Sequence, residues 1–228
     1  MKVLIGIPAR DKKLISTYWH DWMKKIYDDL DKTTIEYSVE YAEGMYYDTA
    51  RNHLVDFAVK NGFDYILFID DDIFMPVGGI QQLLSHKKRV TAFPGYAKQI
   101  PLKSNIFPNF YFTSLAKIPK DVLMKVDWVG TGCMLINTSI FEYIEKPYFG
   151  SGVSIFDEIK GINIDYKTSE DEYFCRKLKK ANIDVWVDTT AVCEHYCDKQ
   201  KGFYPSLSLL DEKGNVVFGG LFNIWEEN

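Results

Sequence analysis

Apolar residues along this chain gather into short, nearly unbroken runs separated by longer stretches of helical spacing. Residues 2–7, Lys-Val-Leu-Ile-Gly-Ile, form such a run closed by Pro8, the pattern of a strand buried on both faces. Leu14 to Leu30 carries apolar residues at roughly helical spacing, and Thr34 to Val39 reads as a second strand with β-branched residues. A helix then runs from Asp48, its expected N-cap, to Asn61, with Gly62 as the left-handed stop and Leu54, Phe57 and Ala58 as the inner stripe. Tyr65 to Ile69 is the clearest buried strand. It runs directly into Asp70-Asp71-Asp72, and Met75-Pro76 prevents simple continuation. Strands alternating with helices predict an α/β chain with a mixed, mostly parallel sheet flanked by helices, whose ligands bind outside the carboxyl ends of the strands.

Beyond residue 88 the pattern changes. Arg89 to Phe93 is strand-like, but residues 94–126 hold prolines and aromatics without a clean period and read as an irregular, cleft-forming region. Trp128 to Ile136 is a turn feeding a buried strand, followed by a helix over about 138–145. Ser169 to Ala181 is a second strong helix, then Asp184 to Val187 and Ala191 to His195 suggest two short strands. The last twenty residues alternate loosely. A length of 228 residues suits one domain.

Composition narrows the function classes. An apolar share of 46% supports a sizeable core, and no tract is polar enough to suggest disorder. The net charge of −5 argues against broad attraction to nucleic acid or anionic lipid, while a small anionic ligand needs only a local cluster of donors. No apolar stretch approaches the ~20 residues that span a bilayer, so no transmembrane segment is expected and the chain reads as cytoplasmic. Cys133, Cys175, Cys193 and Cys197 read as buried free thiols; Cys193, His195 and Cys197 alternate on one strand face but lack the paired spacing of zinc knuckles.

Four clusters carry candidate chemistry. A strand ending in three aspartates concentrates negative charge that a hard divalent cation, Mg²⁺ or Mn²⁺, would compensate together with substrate phosphates. Ser169-Glu170-Asp171-Glu172 opens a helix as a capping box through Ser169 and Glu172, which leaves Asp171 or Glu170 free to serve as a general base. His195 lies where an imidazole could complete a metal site begun by the aspartates. Thr49-Ala50-Arg51-Asn52 combines a helix N-terminus with an arginine, a natural anion site that is also an ordinary helix surface.

Taken in order, Ile5-Gly6-Ile7-Pro8-Ala9-Arg10, Ala50-Arg51-Asn52, Phe68-Ile69-Asp70-Asp71-Asp72, Gly130-Thr131-Gly132, Glu170-Asp171 and His195 closely resemble the GT-A glycosyltransferase superfamily over roughly residues 3–196. The resemblance implies a metal-dependent transfer of sugar from a nucleoside diphosphate donor, UDP- or GDP-linked. The acceptor is left undefined: a glycan, a lipid-linked sugar, a protein or a small metabolite. It implies one domain over 1–228, with a nucleotide-binding half over about 1–95, a donor-sugar and acceptor half over about 96–205, and a C-terminal extension over 206–228. Asp70 and Asp72 match the D-x-D element and, with His195, the metal ligands; Asp71 is the variable middle residue. Pro8, Ala9, Arg10 and Arg51 match positions bordering the donor, and Gly130, Thr131 and Gly132 match the loop beneath its sugar. Asp171 matches the base of inverting members, with Glu170 as the adjacent fallback. Some relatives with the same elements retain configuration; inversion is the expectation carried forward.

Three rival readings share part of this pattern. A HAD-type phosphatase also opens its site with an apolar strand ending in D-x-D, but Phe74 stands where that family prefers Thr or Val. Nucleotidyltransferases usually show a Gly-rich basic first loop, and here no glycine follows Gly6. A non-catalytic carbohydrate-binding module could keep the fold without turnover, against which stand the intact acids at 70, 72 and 171.

Overall fold

In the computed structural model the described residues are 1–9, 17–98, 103–108, 118–152, 155–157, 162–164, 168–197, 202–204, 209–210 and 216–218. Chain order is β1 (Lys2–Ala9), α1 (Thr17–Leu30), β2 (Glu36–Glu43), α2 (Tyr47–Lys60), β3 (Tyr65–Ile69), β4 (Ile73–Phe74), α3 (Gly79–Ser85) and β5 (Val90–Ala92). Then come β6 (Ile106–Phe107), β7 (Leu123–Val126), β8 (Trp128–Val129), β9 (Cys133–Asn137) and a 3₁₀ turn, Thr138–Glu142. The rest is β10 (Ile155–Asp157), β11 (Ile162–Ile164), α4 (Glu170–Lys180), β12 (Val185–Asp188), β13 (Glu194–Cys197), β14 (Gly202–Tyr204), β15 (Leu209–Leu210) and β16 (Val216–Phe218).

Seven strands form the main sheet in the order β2-β1-β3-β9-β5-β12-β7. β2, β1, β3, β5 and β12 run in one direction, and β9 and β7 run against them. Because strand side chains alternate between faces, the sheet separates two cores. Val3, Ile5, Ile7, Leu67 and Ile69 pack with Trp19, Met23, Ile26 and Leu30 of α1 and with Ile80 and Leu83 of α3. Leu4, Ile66 and Phe68 pack with Leu54, Val55 and Ala58 of α2 and with Phe174, Cys175 and Leu178 of α4. Gly6 lets α2 lie close on β1: a Cβ there would stand 3.3 Å from Ile66 Cδ1 and 3.4 Å from Leu54 Cδ1. The GT-A-like arrangement expected from the sequence is the one present, a mixed sheet that is mostly parallel and covered by helices on both faces.

Several local expectations are corrected. Tyr46, not Asp48, is the N-cap of α2; Asp48 lies inside the first turn, where Oδ2 accepts from Ser151 N at 3.1 Å. The expected inner stripe runs through Leu54, Val55 and Ala58, while Phe57 is only half-buried. The helix expected over 138–145 is a short 3₁₀ turn, Thr138–Glu142, capped by the Asn137 carboxamide, which accepts from Ser139 N at 3.0 Å. β2 begins and ends later than expected, at Glu36 and Glu43. α3 lies where no helix was read.

A second sheet in the order β16-β15-β14-β13-β4 joins the first where β3 ends. β4 leaves the main sheet immediately after the aspartates and pairs antiparallel with β13, Ile73 opposite His195. On the other side, Asp188 closes β12 with a carboxylate that is 1% exposed. It accepts from Gln82 Nε2 (2.8 Å), Thr190 Oγ1 (2.6 Å) and Thr190 N (2.9 Å), and pairs with His86 Nε2 at 2.6 Å. Burial raises this carboxyl, but the Thr190, His86 and Gln82 bonds outweigh it and hold it below the usual aspartate range.

Asp188 therefore ties α3 to β12 only while it is charged. Asp188→Ala should cost about 3 kcal/mol in urea unfolding at pH 7, since it strands buried donors. A depressed folded-state value contributes stability above the ordinary aspartate value, so the gap to wild type should hold from pH 8 to pH 5 and narrow below about pH 4. A gap unchanged at lower pH would show that the carboxylate charge does not hold this cluster.

Candidate active site

The carboxyl ends of β1 and β3, the turn before β9, the start of α4 and β13 meet at one end of the main sheet. β3 delivers Asp70 there because Asp70 N still bonds Gly132 O (3.0 Å) while Ile73 N turns back to Asp70 O (3.0 Å). Asp70 Oδ1 accepts from Arg51 Nη2 at 2.9 Å, and Arg51 Nε lies 3.9 Å from Glu170 Oε1. Arg51 is 2% exposed, one turn into α2, with its guanidinium over the Phe68 ring at 5.3 Å. Burial would lower the guanidinium, but Asp70, Asp171 and Glu170 together raise it. Its Nε and Nη1 make no hydrogen bond among the described residues, which leaves buried donor capacity facing the acids.

Asp72 is held from two sides. Lys98 Nζ donates to Oδ2, and His195 Nε2 stands 3.3 Å from Oδ1. Burial raises the Asp72 carboxyl, yet His195 and Lys98 bring it below the usual range. His195 Nδ1 stands 3.0 Å from Tyr96 O and donates to it, so Nε2 donates to Asp72 when the ring is charged and, in the neutral ring protonated on Nδ1, turns a lone pair that way. This is the tautomer a metal ligand requires. Adjacent ligands of an octahedral ion with ~2.1 Å bonds stand about 3.0 Å apart, close to the observed separation. Asp72 and His195 are thus the side chains here whose spacing would suit a divalent cation. Among the described residues, no group of three or more His, Cys, Asp or Glu is placed to hold a metal ion, so these two side chains would need ligands from outside the protein. Asp70, expected as a ligand, has one oxygen committed to Arg51.

Asp171 is fixed by the glycine loop. Thr131 N donates to Asp171 Oδ1 at 3.2 Å, and the Thr131 hydroxyl bonds the same oxygen. Thr131 is fully buried. The glycines flanking it allow close approach: a Cβ on Gly132 would stand 3.0 Å from Asp70 Oδ2, and one on Gly130 would stand 2.9 Å from Asn105 Nδ2. Ser169 caps α4 by accepting from Glu172 N (3.2 Å), while Glu172 turns to Arg176 at 2.8 and 2.7 Å. That leaves Glu170 and Asp171, in the first turn, facing the aspartates.

Crowding shows in the proton affinities. Burial first, then Asp72 and Asp70, push Asp71 up to about 7. Burial and Asp171 push Glu170 up to about 7, against the pull of Arg51. Tyr47, one helical turn before Arg51, has its phenol raised by partial burial and then by Asp70, Asp72 and Asp71.

The structure brings together Asp70, Asp71, Asp72, Arg51, Gly130, Thr131, Gly132, Glu170, Asp171 and His195. Pro8 and Ala9 are buried at the end of β1, with Ala9 O accepting from Gly44 N (2.9 Å); Arg10 lies outside the described residues, as do Lys199 and Lys201. Asn52 is a clip, donating to Asp48 O and Phe149 O (2.8 Å each) and accepting from Tyr148 N (2.8 Å). Trp128, half-buried, stacks on Phe107 at 3.5 Å. All four cysteines are free thiols; Cys133, Cys175 and Cys193 are buried and Cys197 is partly exposed. No helix among the described residues is long and apolar enough to cross a membrane. Sequence reasoning missed Lys98 and Tyr47; Tyr47 carried a signal, four residues before Arg51 on the same helix face.

The chain has a GT-A-like fold. Among solved structures, A197 from STIV is similar at a TM-score of 0.55 and 18% identity, over 88% of this chain and 88% of that one, a likeness of fold. S. aureus TarS 1–349, solved in complex with UDP-GlcNAc, is similar at 0.45 and 11% over 85% of this chain and 57% of that one. A glycosyltransferase involved in glycosylation of the major capsid of PBCV-1 is similar at 0.35 and 12%, over 64% and 68%. No protein-family model matches the sequence, and no curated protein matches it.

The close approach at Gly132 is testable without knowing any ligand. Gly132→Ala must displace an Asp70 carboxylate that Arg51 holds, and should cost about 1–3 kcal/mol in urea unfolding. Gly95→Ala, whose Cβ would meet nothing nearer than 3.7 Å, should stay within about 1 kcal/mol of wild type. Equal costs would mean that the Asp70 position is not tightly held.

Proposed function

We propose that this chain is a glycosyltransferase moving a sugar from a UDP- or GDP-linked donor to an acceptor hydroxyl, assisted by Mn²⁺ or Mg²⁺ and inverting the anomeric centre. The observation that carries this reading is the convergence, at one end of the sheet, of the Asp72–His195 pair with the Thr131-held Asp171. One part suits a diphosphate and its cation, and the other suits a proton acceptor.

Each residue then has a task. Asp72 and His195 would hold the cation, which when bound draws off charge from the departing diphosphate. Arg51 Nη2 donates to Asp70 and aims it at the donor side, drawing its carboxyl down against burial, Asp72 and Asp171, which together still hold it above the usual range. Gly130 and Gly132 keep the loop low, so that a sugar can lie above it. Asp171, with Oδ1 fixed by Thr131, offers Oδ2 to the acceptor hydroxyl. As the acceptor oxygen bonds to the anomeric carbon, the bond to the diphosphate oxygen breaks with its electron pair, and the proton passes to Asp171. A phosphatase reading would make Asp70 the nucleophile, but one of its oxygens is tied to a buried arginine.

A thermal-shift panel of UDP, GDP, CDP and their sugar conjugates, with and without Mn²⁺, tests the donor site. A ligand at ~100 times its dissociation constant adds about 2.7 kcal/mol. Stabilisation by one nucleotide that needs Mn²⁺ and disappears in Asp72→Ala is expected; no response to any nucleotide would sink the reading. Asp171→Asn should leave the donor-induced shift intact while lowering transfer by at least about 10²-fold, the low end of a general base's contribution. Transfer at the wild-type rate would remove Asp171 from that role.

A further inference from the structure

Lys98 stands out because its ammonium lies inside the acidic centre although no motif includes it. It extends from a hairpin whose arms meet at the Tyr96–Ser104 bridge and at the bond from Ala97 N to Lys103 O (2.9 Å). From there it donates to Asp72 Oδ2, opposite the oxygen that faces His195. Its side chain is 30% exposed and that of Asp72 is 19% exposed, so the pair is partly withdrawn from water. The same hairpin supplies Tyr96 O, which orients His195. The residue that fixes one candidate ligand and the residue that occupies the other are therefore two positions apart.

We propose that Lys98 is a tethered counter-ion that occupies Asp72 until a divalent cation displaces it, and that the displaced ammonium then binds the diphosphate of the donor. The second half rests on the donor reading above. One small carboxylate cannot serve an ammonium and a divalent ion together without setting like charges a few ångströms apart in a partly dry site. The lysine stem is flexible, and its ammonium is a point charge suited to phosphate. Once off Asp72, it needs a new anion, and a diphosphate beside the metal is the nearest class of ligand that supplies one. Metal and nucleotide should therefore bind cooperatively, each improving the affinity for the other by the same factor.

The test titrates Mn²⁺ alone into the full chain, following free Mn²⁺ by electron paramagnetic resonance, for wild type, Lys98→Met and Lys98→Arg; the titration is then repeated with UDP or GDP present. Lys98→Met should bind Mn²⁺ alone about tenfold more tightly than wild type. Lys98→Arg, which keeps the charge, should stay within about threefold of wild type. The tightening of Mn²⁺ by nucleoside diphosphate expected in wild type should be weakened severalfold in Lys98→Met, leaving only the part due to direct contact of metal and phosphate. Unchanged or weaker Mn²⁺ binding by Lys98→Met, in a protein whose melting temperature is preserved, would overturn the displacement. Full retention of the nucleotide effect would overturn the diphosphate role. Tighter Mn²⁺ binding by Lys98→Met with no nucleotide response in any protein supports the displacement and rejects the donor reading; no Mn²⁺ binding in any of them rejects both.

Discussion

The guanidinium of Arg51 is buried under the end of β3 and bonded to Asp70, and that ion pair sets the terms for every other charge at this end of the sheet. A carboxylate carried into the protein interior by an apolar strand is driven towards its neutral form unless a partner compensates it. Arg51 opposes that drive without cancelling it, since burial with Asp72 and Asp171 still holds the Asp70 carboxyl above its usual range, and it also faces Glu170 across 3.9 Å. Breaking a buried pair of this kind by removing one member typically costs about 3–5 kcal/mol, because the remaining charge is left unpaired. The pair joins α2, β3 and the start of α4.

The fold supplies the remaining members from distant parts of the chain. β9 runs antiparallel between β3 and β5, so the turn that feeds it, Gly130 to Gly132, arrives beside the end of β3 rather than at the far side of the sheet. That reversal sets Thr131 against Asp171 and Gly132 against Asp70. The departure of β4 into the second sheet does the same for His195, which pairs opposite Ile73 and so faces Asp72. An all-parallel sheet would have carried these loops apart.

The legible part of the site is the part that local pattern encodes. The run Tyr65 to Ile69 demands a buried strand, so the position of the aspartates at its carboxyl end follows without tertiary information. Ser169 announces the start of α4, and with it the neighbourhood of Glu170 and Asp171. Arg51 was legible only as a family position, since an arginine on a helix is ordinarily solvated; yet it falls on the stripe with Val55 and Ala58, a spacing that points inward. α3 was not read at all: it opens on Gly79 directly after Gly78, although Ile80 and Leu83 have helical spacing and are buried. Lys98 could not be foreseen, because it belongs to an irregular stretch and gains its meaning only when the hairpin folds over Asp72.

Asp71 and Glu170 show what this assembly costs. Each has a folded-state value near 7, above the ordinary carboxylate value, so the fold prefers their neutral forms. The sign follows from linkage: the fold carries no penalty from them in acid, and loses stability as the pH rises through the interval from about 4 to 7. Asp188 acts in the opposite sense, contributing stability above its depressed value, but it does so at the junction of α3 and β12 rather than at the site. The acidic centre is thus strained by charge at neutral pH while the frame beneath it is not. Cations relieve that strain in proportion to how many of these acids they face, and the protein already places two there, one buried in Arg51 and one on Lys98. A site organised in this way gains most from a ligand that brings positive and negative charge together, because a cation alone must compete with Lys98 and an anion alone must approach five acidic side chains.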